Sequence, residues 1–200
     1  ERCHRCRERG SKGAIGALRL CYECVAAMTG ETNHVVRSRR LNVVVRHGRM
    51  AIGMTEWVPD FIAAGGALIV LGSGDPALEG AMRGLEARFP GKVAVRIGYD
   101  EALSHQLFAG ADAVLVPSRF EPCGLTQMYG LRYGTVPVVA AVGGLADTVI
   151  DANPAALAAG VATGVQMSGV AYPQLAMAVS RTVELYYRPA EWRKLQKNGL

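Results

Sequence analysis

From residue 67 onward, short apolar runs alternate with stretches that carry helix-start signals, and this alternation restricts the fold more than any other feature. Ala67-Leu-Ile-Val-Leu71 reads as a buried strand ending in Gly72-Ser-Gly-Asp75, and Pro76 then opens a helix to about Phe89, as proline does in a first helical turn. Lys92-Val-Ala-Val-Arg-Ile97 is a second strand, after which Asp100 caps a helix to about Ala109. A strand at 112–116, a helix from Gly124, the strand Val136-Pro-Val-Val-Ala140 and a Gly143-Gly144 turn into a short helix complete the series. Strands separated by helices cannot pair as hairpins; they pair in parallel, with the helices packed on the sheet faces. The class is therefore α/β, a doubly wound, Rossmann-like parallel sheet. After about residue 150 the alternation loosens into a helix start at Asn153-Pro154, a glycine-rich loop with a short strand, and a closing amphipathic helix from Pro173 to Tyr187.

Residues 1–57 are different in kind. They hold 11 Lys+Arg against 5 Asp+Glu and four of the five cysteines, leaving 11 against 12 charges for residues 58–200. The net charge of +5 thus belongs to the first quarter and is no argument for a nucleic-acid surface on the rest. Beyond Leu41-Asn-Val-Val-Val45 this segment shows no sustained period of either kind, so a boundary is expected between residues 57 and 58. Two origins are open for it: a misread or rearranged frame, or a genuine appendage. Cys3-His-Arg-Cys6 and Cys21-Tyr-Glu-Cys24 are two CxxC pairs 14 residues apart, just short of the zinc-ribbon spacing of roughly 15–20, and keep a zinc or nucleic-acid module open as the alternative. No apolar run approaches the roughly 18 residues of a membrane span and no signal peptide opens the chain, so a cytoplasmic location is expected.

The candidate site lies where strands hand over to helices, the edge at which open α/β sheets bind ligands. Ser118-Arg-Phe-Glu121-Pro-Cys-Gly-Leu-Thr-Gln127 places one carboxylate between the strand at 112–116 and the helix from Gly124, in which Leu125, Met128, Tyr129 and Leu131 can share an apolar face. Glu121 has two readings at this level: a helix-terminal charge worth under about 1 kcal/mol, or an acid beside an anion site formed by free amides at Gly124-Leu-Thr126. Tyr99 follows the preceding strand and reaches the same edge, where its ring could stack on a base. Cys123 reads by default as a small buried apolar side chain, and the four histidines show no triad or metal spacing.

Residues 58–200 resemble the retaining glycogen and starch synthases that use nucleoside-diphosphate glucose. The resemblance rests on Leu68-Ile-Val-Leu-Gly-Ser-Gly-Asp75, Ile97-Gly-Tyr-Asp-Glu-Ala-Leu-Ser-His105, Pro117-Ser-Arg-Phe-Glu-Pro-Cys-Gly-Leu-Thr-Gln127, Leu131-Arg-Tyr-Gly-Thr-Val-Pro137 and Gly143-Gly-Leu-Ala-Asp-Thr-Val149. Ala162-Thr-Gly164 and Trp192 to Gly199 continue it. The wider group of retaining transferases has a second glutamate eight positions after the first; Tyr129 stands there, as in the synthase branch.

The resemblance implies the donor-binding, C-terminal half of a two-domain GT-B glycosyltransferase, truncated at its C-terminus and lacking its N-terminal acceptor domain. It implies glucose transfer from ADP-glucose, or UDP-glucose, to the non-reducing end of an α-1,4-glucan with retention of configuration, and an inactive chain in isolation. By matching position, Glu121 is catalytic, holding the glucose hydroxyls and supporting charge on the sugar. Cys123, Gly124, Leu125 and Thr126 bind sugar and phosphates, and Tyr99 stacks on adenine. No metal or cofactor is expected, because amides and basic side chains stabilise the leaving diphosphate; nucleic-acid and membrane partners are not expected either. Another retaining GT-B transferase is the runner-up. Two departures stand out: Arg46 matches the family's diphosphate-binding arginine but its companion lysine is absent, and Ala141 stands where an arginine is common.

Overall fold

Of the 200 residues, the computed structural model describes the backbone of 42–46 and residues 55–200. Six strands alternate with helices in the expected way: β1 (Asn42–Arg46), α1 (Val58–Ala63), β2 (Ala67–Gly72), α2 (Pro76–Arg88), β3 (Val93–Ile97), α3 (Glu101–Gly110), β4 (Ala113–Val116), α4 (Thr126–Tyr133), β5 (Val136–Ala140), α5 (Gly143–Thr148), α6 (Pro154–Ala159), β6 (Val165–Met167), α7 (Tyr172–Tyr186) and α8 (Pro189–Asn198). The strands form one sheet in the order β3-β2-β1-β4-β5-β6, and every pair is parallel. The expected α/β, doubly wound architecture is thus the one observed.

The sheet also reaches further back than the expected boundary at 57/58. Asn42–Arg46 is not peripheral: it sits between β2 and β4, with Val44 level with Ile69 on one side and Val114 on the other. A five-residue Asn-Val-Val-Val-Arg run carries too few periods to announce a central strand, and the basic, aperiodic residues around it hide it further. The described residues resume at 55, and Trp57 is buried with its ring 5.3 Å from that of Phe61 on α1. The CxxC pairs and residues 47–54 lie outside the described residues.

Strand side chains alternate between two cores. Leu68, Val70, Val93, Val95, Ala113, Leu115, Val136 and Val138 face α1, α2, α7 and α8 through Phe61, Met82, Leu85, Leu175, Leu185, Trp192 and Leu195. Ile69 and Leu71 face Leu107 of α3, and Val114, Val116 and Val139 face Phe108 and Leu145 of α3 and α5. A strand buried on both faces must be apolar throughout, which is why β4 and β5 read as unbroken apolar runs. The helix starts follow from local chemistry: Asp75 accepts from the amides of Ala77 (2.8 Å) and Leu78 (3.3 Å), and Asp100 from that of Leu103 (2.8 Å), satisfying amides the helix leaves unpaired.

The loose C-terminal part is tied down by Arg181 of α7. Its guanidinium donates to both Asp151 oxygens (3.0 and 3.1 Å) and to the Ala152 carbonyl (3.0 Å), while Asp151 also accepts from the Gln166 amide at 2.8 Å. One cation therefore joins α7, β6 and the turn after α5. Arg181→Ala removes the counter-charge of that carboxylate, which keeps only the Gln166 amide, and leaves the Ala152 carbonyl without its donor in a half-buried setting; it should lower unfolding free energy by about 2 kcal/mol, read by urea denaturation.

Candidate functional site

All strands point their carboxyl ends to one edge, and in the observed order the crevice between β1 and β4 is the switch point, where one strand's connection leads left and the other's right. Arg46 closes β1 at that crevice. The turn after β4 carries Glu121, Cys123, Gly124, Leu125 and Thr126 and enters α4. Tyr99 lies on the same edge after β3, but β2 and β1 intervene; at about 4.8 Å per strand, that sets the two turns roughly 14 Å apart along the sheet. Arg46 and the Glu121 turn thus follow neighbouring strands at one edge, and Tyr99 follows β3, three places from β4 on the same edge.

The Glu121 turn is held by close backbone packing against α5. A Cβ on Gly143, whose φ is +44°, would lie 2.2 Å from the Glu121 carbonyl oxygen, and one on Gly144 would lie 2.2 Å from that of Cys123. The Gly144 amide donates to the Glu121 carbonyl at 3.1 Å. Only paired glycines let α5 come this close, which explains the Gly-Gly in what had read simply as a turn.

From the other side the turn is held by Gln127, which is 0% exposed. Its Nε2 donates to the carbonyls of Gly124 (2.8 Å) and Cys123 (3.2 Å) and lies 3.1 Å from Thr148 Oγ1, which donates in turn to the Gly144 carbonyl at 2.5 Å. Gly124 has φ +70°, and a Cβ there would sit 2.6 Å from Gln127 Oε1. α4 begins at Thr126 with no side chain capping its first turn. An acid thus stands beside uncapped amides, the composition of a site for a ligand with hydroxyl and anionic parts.

Three expectations change here. The apolar face proposed for Leu125 and Met128 is not buried: they are 62% and 47% exposed, and the residue that enters the core is Gln127, because the turn's carbonyls need its amide more than the core needs another apolar side chain. Cys123 is exposed rather than buried, since the α5 glycines pack on its backbone and turn its side chain out. Helix α4 starts two residues after Gly124, which takes the left-handed conformation of a turn. Tyr129, at the position of the wider group's second glutamate, packs inward: its ring meets His105 edge-on at 5.4 Å and lies 5.9 Å from Phe108. Tyr99 is 77% exposed, with its hydroxyl 3.2 Å from Glu101 Oε2, so one ring face is available to a ligand.

Among the described residues, cavities lie on the flanks of the sheet. One of about 30 Å³ lies beneath the Tyr99 end of the edge, lined by Gly72, Ser73, Gly74, Asp75 and Ile97. The larger, about 170 Å³, runs along β3 between α2 and α3, past Arg83, Glu86 and Arg96, and contains none of the site residues.

No protein-family model matches the chain. It is 66% identical over 145 residues to the glycogen synthase of Cereibacter sphaeroides, covering 72% of this chain and 30% of that protein. It is 62% identical over 147 residues to the glycogen synthase of Novosphingobium aromaticivorans, again covering 30% of that protein. The chain is a glycogen synthase homologue. Among solved structures it matches the catalytic domain of starch synthase IV from Arabidopsis thaliana, a structure bound to ADP and acarbose, with TM-score 0.74 and 28% identity over 88% of this chain and 38% of that one. The homologue thus spans about 30% of the length of the curated relatives it matches.

The contact between α5 and the Glu121 turn makes a direct prediction for this homologue. Gly144→Ala must push the Cys123 carbonyl away and should cost about 1–3 kcal/mol in urea denaturation, whereas Gly80→Ala, in an exposed helix interior where a Cβ meets nothing within 4 Å, should stabilise by up to about 1 kcal/mol.

Proposed function

We propose that the chain is the donor-binding domain of a glycogen or starch synthase, which transfers glucose from ADP-glucose to the non-reducing end of an α-1,4-glucan with retention of configuration. The observation that carries the reading is the turn after β4: one carboxylate, Glu121, beside the uncapped first turn of α4, at the switch point of a parallel sheet. Such a turn suits a ligand that joins a polyhydroxylated ring to a diphosphate.

In this reading the adenine stacks on the exposed Tyr99 ring, and the diphosphate crosses the carboxyl ends of β2 and β1 toward the amides that open α4. Three strand spacings, roughly 14 Å, separate the two ends, a span suited to an extended nucleotide sugar rather than a single sugar or a free phosphate. Glu121 holds glucose hydroxyls and supports positive charge developing at the anomeric carbon. The amides at Gly124-Leu-Thr126 and Arg46 stabilise negative charge gathering on the departing diphosphate, an electrostatic role of fixed donors that need no reorganisation as the bond breaks. The charge needs no metal in this scheme. The glucan enters from an acceptor domain facing this edge, so donor binding is the property to test on the chain.

Titration with ADP and ADP-glucose, followed by calorimetry, tests the reading. Saturable binding of both is expected. Tyr99→Ala should weaken ADP by about tenfold, the worth of one base stacked on an aromatic ring. Glu121→Gln should leave ADP affinity intact while abolishing whatever ADP-glucose gains over ADP. Absence of binding, or binding indifferent to both substitutions, would remove the donor-site assignment.

A further inference from the structure

We infer that Gln127 is a positioning residue that aims two backbone amides, those of Gly124 and Leu125, at the donor's diphosphate; this rests on the donor-site reading above. A trans peptide group is planar, so the C=O of one residue and the N–H of the next point in opposite directions. Gln127 Nε2 draws the Cys123 and Gly124 carbonyls inward, at 3.2 and 2.8 Å. The N–H groups in those same two peptide planes belong to Gly124 and Leu125, and they are thereby turned outward, away from the buried glutamine. Neither amide has a protein acceptor among the described residues. The outcome is a pair of adjacent donors projecting on the Glu121 side of α4, continuous with its uncapped first turn.

Three further features belong to this arrangement. Gln127 Oε1 is buried without a partner, a penalty that an apolar residue of the same length would not carry. Gly124 holds φ +70°, and its missing Cβ would collide with the Gln127 amide, so the two residues fit only as a pair. Thr148 anchors the same amide at 3.1 Å and passes the constraint to Gly144, whose amide fixes the Glu121 carbonyl. One buried amide group therefore sets the direction of the phosphate donors, and the chain Gln127, Thr148, Gly144 ties that direction to the backbone of Glu121. A core that needed only packing would place a leucine or methionine here, yet the apolar Leu125 and Met128 lie on the exposed side and the amide lies inside.

Gln127→Met keeps length and volume but removes the donor, and comparison of three ligands reads the effect. The wild-type chain should bind ADP, inorganic pyrophosphate and, weakly, adenosine. Gln127→Met should weaken ADP and pyrophosphate by about tenfold or more, the loss expected when two hydrogen bonds to a charged group are misdirected, and leave adenosine unchanged. Equal weakening of adenosine would indicate general loosening of the domain and overturn the inference, as would pyrophosphate binding that the substitution does not alter. Wild-type failure to bind ADP would instead remove the donor-site reading itself. Amide resonances of the wild-type chain test the aimed donors themselves: on adding pyrophosphate, the Gly124 and Leu125 N–H protons should shift downfield, and their standing still would refute the proposal.

Discussion

Six strands running in one direction leave every strand-to-helix turn on the same edge of the sheet, and the site depends on that constraint. Parallel pairing forbids hairpins, so each strand is followed by a helix, and each helix begins at the carboxyl edge with amides that lack intrahelical partners. Among the described residues three helix starts are closed locally: Asp75, Asp100 and Asn153 accept from amides of the first turn that follows them. α4 has no such cap, a property it shares with α1, α5, α7 and α8; what sets it apart is its place beside the central strands β1 and β4 and the acid in the turn before it. A carboxylate cap there would compete with an anion for the same amides. The acid in this turn, Glu121, lies four residues before the N-cap residue Leu125, on a backbone held by α5 rather than by its own side chain.

The means of holding that turn is unusual for a protein interior, because it is mostly backbone on backbone. Gly143 and Gly144 bring α5 within van der Waals reach of two carbonyls, and Gln127 meets the turn's carbonyls from the opposite side. Such contacts leave little room to relax: a methyl group on either glycine has nowhere to go, and the buried amide can satisfy the turn in one arrangement only. Rigidity of this kind suits a site that stabilises charge by fixed dipoles, since donors already in place need not be reorganised as charge develops. The apolar side chains displaced by this arrangement, Leu125 and Met128, end up on the surface near the site instead of in the core.

Much of this was legible in the residues. Strands buried on both faces are apolar runs of four to six residues, and β2 through β5 announce themselves that way, as do the helices opened by Pro76 and capped by Asp100. Position after a strand was enough to put Glu121 and Tyr99 on one edge. Strand order was not legible, because it depends on which strands pair, so the roughly 14 Å between those residues and the central place of Asn42–Arg46 emerge only in three dimensions. Periodicity also misled at α4: it assigns inside and outside by polarity, and Gln127 is buried for its hydrogen bonds. No pattern within one segment reveals a partnership such as Gln127 with Thr148, 21 residues apart, or Gly144 with Cys123.

The account stands or falls on where a nucleotide sugar lies. A crystal structure of the chain with ADP-glucose tests this most directly. The account predicts adenine on Tyr99, the diphosphate at the amides of Gly124 and Leu125 between the ends of β1 and β4, and glucose hydroxyls within hydrogen-bond reach of Glu121. Ligand in the larger cavity beside β3, or a diphosphate that bypasses the start of α4, would contradict it.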